Sequence, residues 1–396
     1  MNTDRPVNRS TVAKPFADLQ GASKLAIDAI TGITSIVEDM HRNIKGLAPI
    51  VGKEPQGGAG GISGFVYSSV RGVTQLVGKS VSLSIAGIDG ALAALRPLVG
   101  QAEPSPHRDA MLSALNGVFG DYLEATQNPL AINMELRQTT QTPGSKLLIL
   151  VHGLCMNDVQ WLRDGHDHGA ALGQALGYTP IYLRYNTGRS IAANGKDFSD
   201  CLQKLLHSWP NKITELTIVG HSMGGLVTRS ACFYAEHNKH TWLTHLSKLV
   251  FLGSPHHGAP LEKAGSWVDV LLKISPYSAP FAKLATVRSA GIKDLRKGSI
   301  VDSSLVDATF IGPIPLPKLP KNVPCYAIAA TNSESASIKN LLGDGLVSVA
   351  SALGKHKNPE LALPIPKANT NIHYGLNHFD LLSSKAVFAD LQRWLQ

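Results

Sequence analysis

The sequence predicts an α/β chain: a mostly parallel sheet with helices on both faces, preceded by an all-helical annex and interrupted by a cap insertion. Three observations carry this. From about residue 131 onward, apolar runs of strand length alternate with helical stretches. Before that point apolar residues recur only at helical spacing. Residues 259–322 then break the alternation with a long, proline-rich, moderately basic stretch.

In chain order, residues 1–15 read as a flexible lead-in and 16–130 as the annex. Ala29, Ile33, Ile36, Met40, Ile44 and Leu47 mark a first helix, ended by Pro49 and the glycines that follow. A second runs from about Val66 to Leu95, is threaded with small residues and is closed by Pro97. A third covers about Arg108–Ala125. Small residues let backbones approach closely, so the annex reads as a soluble helical packing, with peripheral membrane contact as the competing reading.

Residues 131–396 form the α/β region. Strands are expected at Lys146–Val151, Thr179–Tyr185, Leu216–Val219, Leu249–Leu252 and Cys325–Ala329, each bounded by Gly, Pro or Asn. Helices are expected at Gly169–Leu176, Lys196–Ser208, Gly224–Glu236 and Leu381–Leu395. Runs buried on both faces and joined by helical crossovers imply parallel pairing.

Composition sets limits. With 396 residues, 43% hydrophobic and 17% charged, the chain can bury a sizeable core, which excludes wholesale disorder. No uninterrupted apolar run reaches the roughly 18 residues of a spanning helix. The first twenty residues are polar and lack the apolar region of a standard signal peptide. Four scattered cysteines fit reduced thiols, so a cytoplasmic setting is expected. Residues 1–130 hold eleven basic and eleven acidic side chains, so the net +8 resides entirely in 131–396. No dense basic block or aromatic–basic interleaving supports nucleic-acid binding. No Walker loop or GxGxxG implies a nucleotide cofactor, and no cofactor or metal is expected. The DGHDH stretch (Asp164, His166, Asp167, His168) reads as a solvated loop.

The sharpest signal is Gly220-His221-Ser222-Met223-Gly224-Gly225, between an expected strand and an expected helix. A strand that turns abruptly into a helix strains its central residue, and glycines two residues either side let neighbouring backbone pass. Ser222 is then lifted clear beside the positive helix end, as a nucleophile would be. A serine hydroxyl needs a base, and the partners follow in the order acid, then His. His378, the last His before the C-terminal helix, is the candidate base, with His373 as competitor. Asp344, flanked by glycines after the fifth strand, is the candidate acid, ahead of Glu334, Asp302 and Asp307. The developing oxyanion needs donors: the N–H of Met223 and that of Leu154, in the loop after the first strand. Gly153 leaves room there for substrate, and His152 reads as a strand-end residue. Cys155 reads as a packed thiol.

The trio VHGL, GHSMGG and LGSPHHG, followed by GDGLVS and NHFDLL, resembles the α/β-hydrolase superfamily over about residues 145–396. More narrowly it resembles the lipase and esterase branch, close to bacterial triacylglycerol-lipase-like and GPI-inositol-deacylase-like proteins. The resemblance implies an α/β-hydrolase fold and a Ser222–Asp344–His378 triad. It also implies a Leu154/Met223 oxyanion hole supported by His152, Gly153, Gly220, His221 and Gly224. His256 and His257 of the SPHHG run read as structural. The function expected is carboxylic-ester hydrolysis through an acyl-enzyme, with a small-molecule or lipid ester as substrate. An acyltransferase using the same groups is the alternative, and a non-catalytic adaptor a weaker one. Chain length, head group and oligomeric state are left open.

Overall fold

The computed structural model describes residues 106–140, 142–258, 289–305, 317–334 and 343–396. The expected lead-in, the first two annex helices and most of the cap insertion lie outside these residues.

The elements follow the order α1 (Pro106–Ala125), β1 (Glu135–Gln138), β2 (Lys146–Val151), α2 (His168–Leu176), β3 (Thr179–Arg184), α3 (Ile191–Ser208), β4 (Glu215–His221), α4 (Met223–Asn238), β5 (Leu246–Leu252), α5 (Ala290–Lys297), β6 (Cys325–Thr331), α6 (Val349–Ala352), β7 (Thr370–Tyr374) and α7 (Lys385–Leu395). Seven strands form one sheet in the order β1-β3-β2-β4-β5-β6-β7. Only β1 is antiparallel to its neighbour; the other pairings are parallel. The central strands are apolar because both faces are covered: Leu147 through Val151 of β2 have no solvent exposure. Alternate residues split between the faces. Leu148, Leu150, Val219, Val250, Leu252 and Ile328 join a core with Leu172 of α2 and Leu391 and Trp394 of α7. Helices α3 and α4 pack on each other.

The α/β character and parallel pairing agree with the sequence, with differences at the edges. Strands β1 and β7 were not expected. Both are edge strands, and their sequences ELRQ and TNIHY lack the apolar run of a doubly covered strand. The expected helix 381–395 is divided. A 3-10 turn covers Asp380–Leu382, and α7 begins only after Ser384, whose side chain accepts from the Val387 N–H.

Helix α1, the third helix expected in the annex, packs into the α/β body. Arg184 at the end of β3 pairs with Asp109 at 3.0 Å and with Asp158 at 3.4 Å. Asn186 Nδ2 donates to Gly120 O at 2.9 Å. The stretch around α5, which sequence assigned to the cap, is tied to the same helix: Ser289 Oγ donates to Gly117 O, and the Ala290 N–H donates to Asp121 Oδ2. Among the described residues, no helix is long and apolar enough to cross a membrane.

Candidate active site

Ser222 sits where β4 passes directly into α4. Its φ of 55° and ψ of −126° are strained for a side-chain-bearing residue. The surroundings hold it there. The Ser222 N–H donates to Leu252 O of β5 at 2.8 Å. A Cβ on Gly224 would stand 2.3 Å from Val151 O, and one on Gly220 2.7 Å from Gly225. The first turn of α4 is thus pressed against the ends of β2 and β4, and only glycine fits. Ser222 Oγ makes no hydrogen bond to another described residue, although the side chain is largely buried.

His378 and Asp344 come together as the sequence implied. His378 Nδ1 lies 2.7 Å from Asp344 Oδ2, with both side chains out of solvent. The other carboxylate oxygen, Oδ1, accepts from the Leu346 and Val347 N–H groups at 2.9 and 2.7 Å. The carboxylate is therefore aimed by its own turn before it meets the imidazole. The His378 N–H also donates to Asp344 O. On the far side of the ring, Nε2 is buried and has no hydrogen-bond partner among the described residues. The ring lies beside Gly253, the residue after Leu252: a Cβ there would stand 3.2 Å from His378 Cε1 and Nδ1. Ser222 and His378 are thus brought to the same end of β5, and Nε2 and Oγ do not bond in this conformation. Such bonds often tighten only when substrate binds.

The loop after β2 completes the site. A Cβ on Gly153 would stand 3.0 Å from Ser222 Cβ. The N–H groups of Leu154 and Met223 donate to no acceptor among the described residues.

The supporting histidines are structural parts of the site. His152 is fully buried, stacked on Tyr185 with ring centroids 4.4 Å apart, and burial holds its pKa down at about 4. Tyr185 Oη donates to His152 O at 2.8 Å. His221 Nε2 donates to His378 O at 3.1 Å, fixing the backbone of the candidate base; burial keeps His221 neutral well below the ordinary range. Neither Tyr185 nor this clamp was singled out from sequence. Both are long-range pairings that no local motif announces.

The competitors fall elsewhere. His373 lies on β7 with Nε2 2.9 Å from Asp390 of α7. Glu334 and Asp302 are exposed, and Asp307 is outside the described residues. Cys155 is a buried thiol whose pKa burial pushes up to about 12. The DGHDH stretch is not simply solvated. Asp167 and His168 are buried; Asp167 accepts from the Ala170 N–H to cap α2, and His168 Nε2 donates to Leu381 O. Both have structural duties that the sequence reading missed. His256 is buried within 3.4 Å of Arg229, and His257 Nε2 donates to Leu361 O, as structural residues would.

Sheet order and the strand–serine–helix turn are those of an α/β-hydrolase fold, and the His–Asp pair lies at the same end of the sheet as that turn. Residues 146–310, less than half of the chain, match the family model of the PGAP1-like alpha/beta domain. No curated protein matches the chain in sequence. Among solved structures, the mature Bacillus licheniformis lipase BlEst2 is 17% identical, with 67% of this chain and 98% of that one covered and a TM-score of 0.43. A lipase-esterase related protein from Clostridium acetobutylicum is 16% identical, covering 66% and 98% at a TM-score of 0.39. The Pyrococcus furiosus esterase PF2001 is 15% identical, covering 66% and 86% at a TM-score of 0.39.

Proposed function

We propose that this chain is a serine carboxylic-ester hydrolase acting on an apolar or lipid-like ester. The observation that carries the reading is the His378–Asp344 pair, whose buried and unpartnered Nε2 lies at the strand end that also holds Ser222. In the proposed reaction Ser222 Oγ attacks the acyl carbon while His378 Nε2 takes its proton. Asp344 holds Nδ1–H and stabilises the imidazolium. The negative charge on the former carbonyl oxygen accepts from the Leu154 and Met223 N–H groups. As the tetrahedral species collapses, His378 returns the proton to the departing alkoxide and an acyl-serine remains. Water, deprotonated by His378, then attacks the acyl carbon; as the C–Oγ bond breaks, His378 returns the proton to Ser222 Oγ and the carboxylic acid leaves.

The test is a panel of p-nitrophenyl esters of graded chain length. Ser222→Ala is expected to lower turnover roughly 10⁴–10⁶-fold while leaving the unfolding transition intact. Retained turnover in that variant overturns the proposal. Acyl transfer to added glycerol in excess over free acid would instead assign the same residues to a transferase.

A further inference from the structure

A cavity lies at the carboxyl edge of the sheet, and none of the proposed catalytic residues lines it. Its volume is about 1230 Å³, and its walls come from α5, the loop after β5 and the segment around α6. Lys293, Arg296, Lys297, Lys355 and Lys357 all line it, and among the described residues no carboxylate does. Asp294, the acid on α5, accepts from the Ile191 N–H and offsets part of the charge of Lys293 and Lys297, but it does not line the cavity.

Cations at a helix C-terminus have a structural explanation, since they offset the dipole there. That covers Arg296 and Lys297, in the last turn of α5. It does not cover Lys293, nor Lys355 and Lys357, which lie beyond α6 on a different wall. Five cations from two separate segments repel one another across a shared concavity, and a multiply charged anion relieves that repulsion. The walls are tied together without a ligand. The His257 N–H donates to Ser351 Oγ at 3.3 Å, and the His256 N–H donates to Ser351 O at 3.4 Å. Gly258 packs so closely on the end of α5 that a Cβ there would stand 2.6 Å from Arg296 O. The arrangement is therefore preformed, which lowers the ordering cost of binding.

We propose that this cavity binds a phosphate-bearing ligand through Lys293, Arg296, Lys297, Lys355 and Lys357. Guanidinium and ammonium groups pair with phosphate oxygens by charge-assisted hydrogen bonds, and the volume admits more than one phosphate or a phosphate ester with a sizeable remainder. The shared chemistry is the phosphate, carried either by a soluble compound or by a lipid head group. The proposal stands apart from the ester-hydrolase reading, because its readout is binding.

The experiment uses the full chain and two probes. Inorganic tripolyphosphate is titrated by calorimetry, and flotation is measured with phosphatidylcholine vesicles with and without phosphatidic acid. One variant neutralises the cavity at exposed positions (K297Q/K355Q/K357Q); a control removes the same charge from exposed positions elsewhere (K196Q/K212Q/K367Q). Circular dichroism checks that both fold. The expected result is saturable binding of at least one probe by the wild-type chain. The cavity variant should weaken it at least about tenfold, and the control no more than about twofold. Cavity-dependent flotation assigns the lipid source. Cavity-dependent tripolyphosphate binding without flotation assigns a soluble one. Saturation by neither probe, or equal loss in the two variants, overturns the proposal.

Discussion

At the scale of single residues, the candidate site depends on which nitrogen of His378 carries the proton. Asp344 Oδ2 accepts at Nδ1, which leaves Nε2 as the acceptor facing the serine side. Asp344→Asn keeps the volume. With the backbone N–H groups of Leu346 and Val347 still holding the amide oxygen, it puts an NH₂ opposite Nδ1. The imidazole must then turn to the Nε2–H tautomer, which cannot accept the Ser222 proton. Steady-state kinetics should show kcat lowered about 10³–10⁴-fold with KM little changed. A kcat within tenfold of wild type would contradict the assigned role. Ser222, Asp344 and His378 were all legible in the sequence, because each sits in a motif whose local geometry is fixed. The Tyr185 contact to His152 and the His221 clamp on His378 were not, because they join segments 33 and 157 residues apart.

At the scale of elements, the strand–turn–helix around Ser222 is built on close backbone approach. Gly224→Ala would push a methyl into Val151 O and His152 O, which belong to a fully buried strand end and cannot withdraw. The expected loss is about 1–3 kcal/mol or more of unfolding free energy, read as a lower midpoint in urea. An unchanged midpoint would mean that α4 does not press on β2 as described. Strands β2 to β6 were readable because burial on both faces forces an apolar run; β1 and β7 were not, because an edge strand has no such need. The break before α7 is explained by Ser384, a capping residue that apolar periodicity overlooks.

At the scale of the whole molecule, four histidines are sealed in the body in neutral form: His152, His168, His221 and His256. Burial lowers each pKa, to about 4 for His152 and His168. The unfolded chain binds these protons near pH 6.5, the folded chain only near 4. Unfolding therefore takes up protons between those values, and stability falls as pH drops from about 6.5 towards 4, by roughly 3 kcal/mol for each such group. Urea midpoints measured from pH 7 to pH 4.5 should decline steadily; a flat profile would contradict the burial of these rings as neutral bases. The onset of strand–helix alternation after α1 was legible from the change in periodicity near residue 130. That α1 is welded to the body was not: its buried stripe of Leu112, Leu115 and Val118 fits packing on any partner, and its polar anchors at Asp109, Gly117 and Gly120 join distant segments. The central claim is that Ser222 is an activated nucleophile served by His378. It is tested most directly by reacting the intact protein with a fluorophosphonate and mapping the adduct by mass spectrometry. One adduct per chain is expected, on Ser222 Oγ, formed far more slowly in His378→Ala; no adduct, or one on another residue, rules out this role for Ser222.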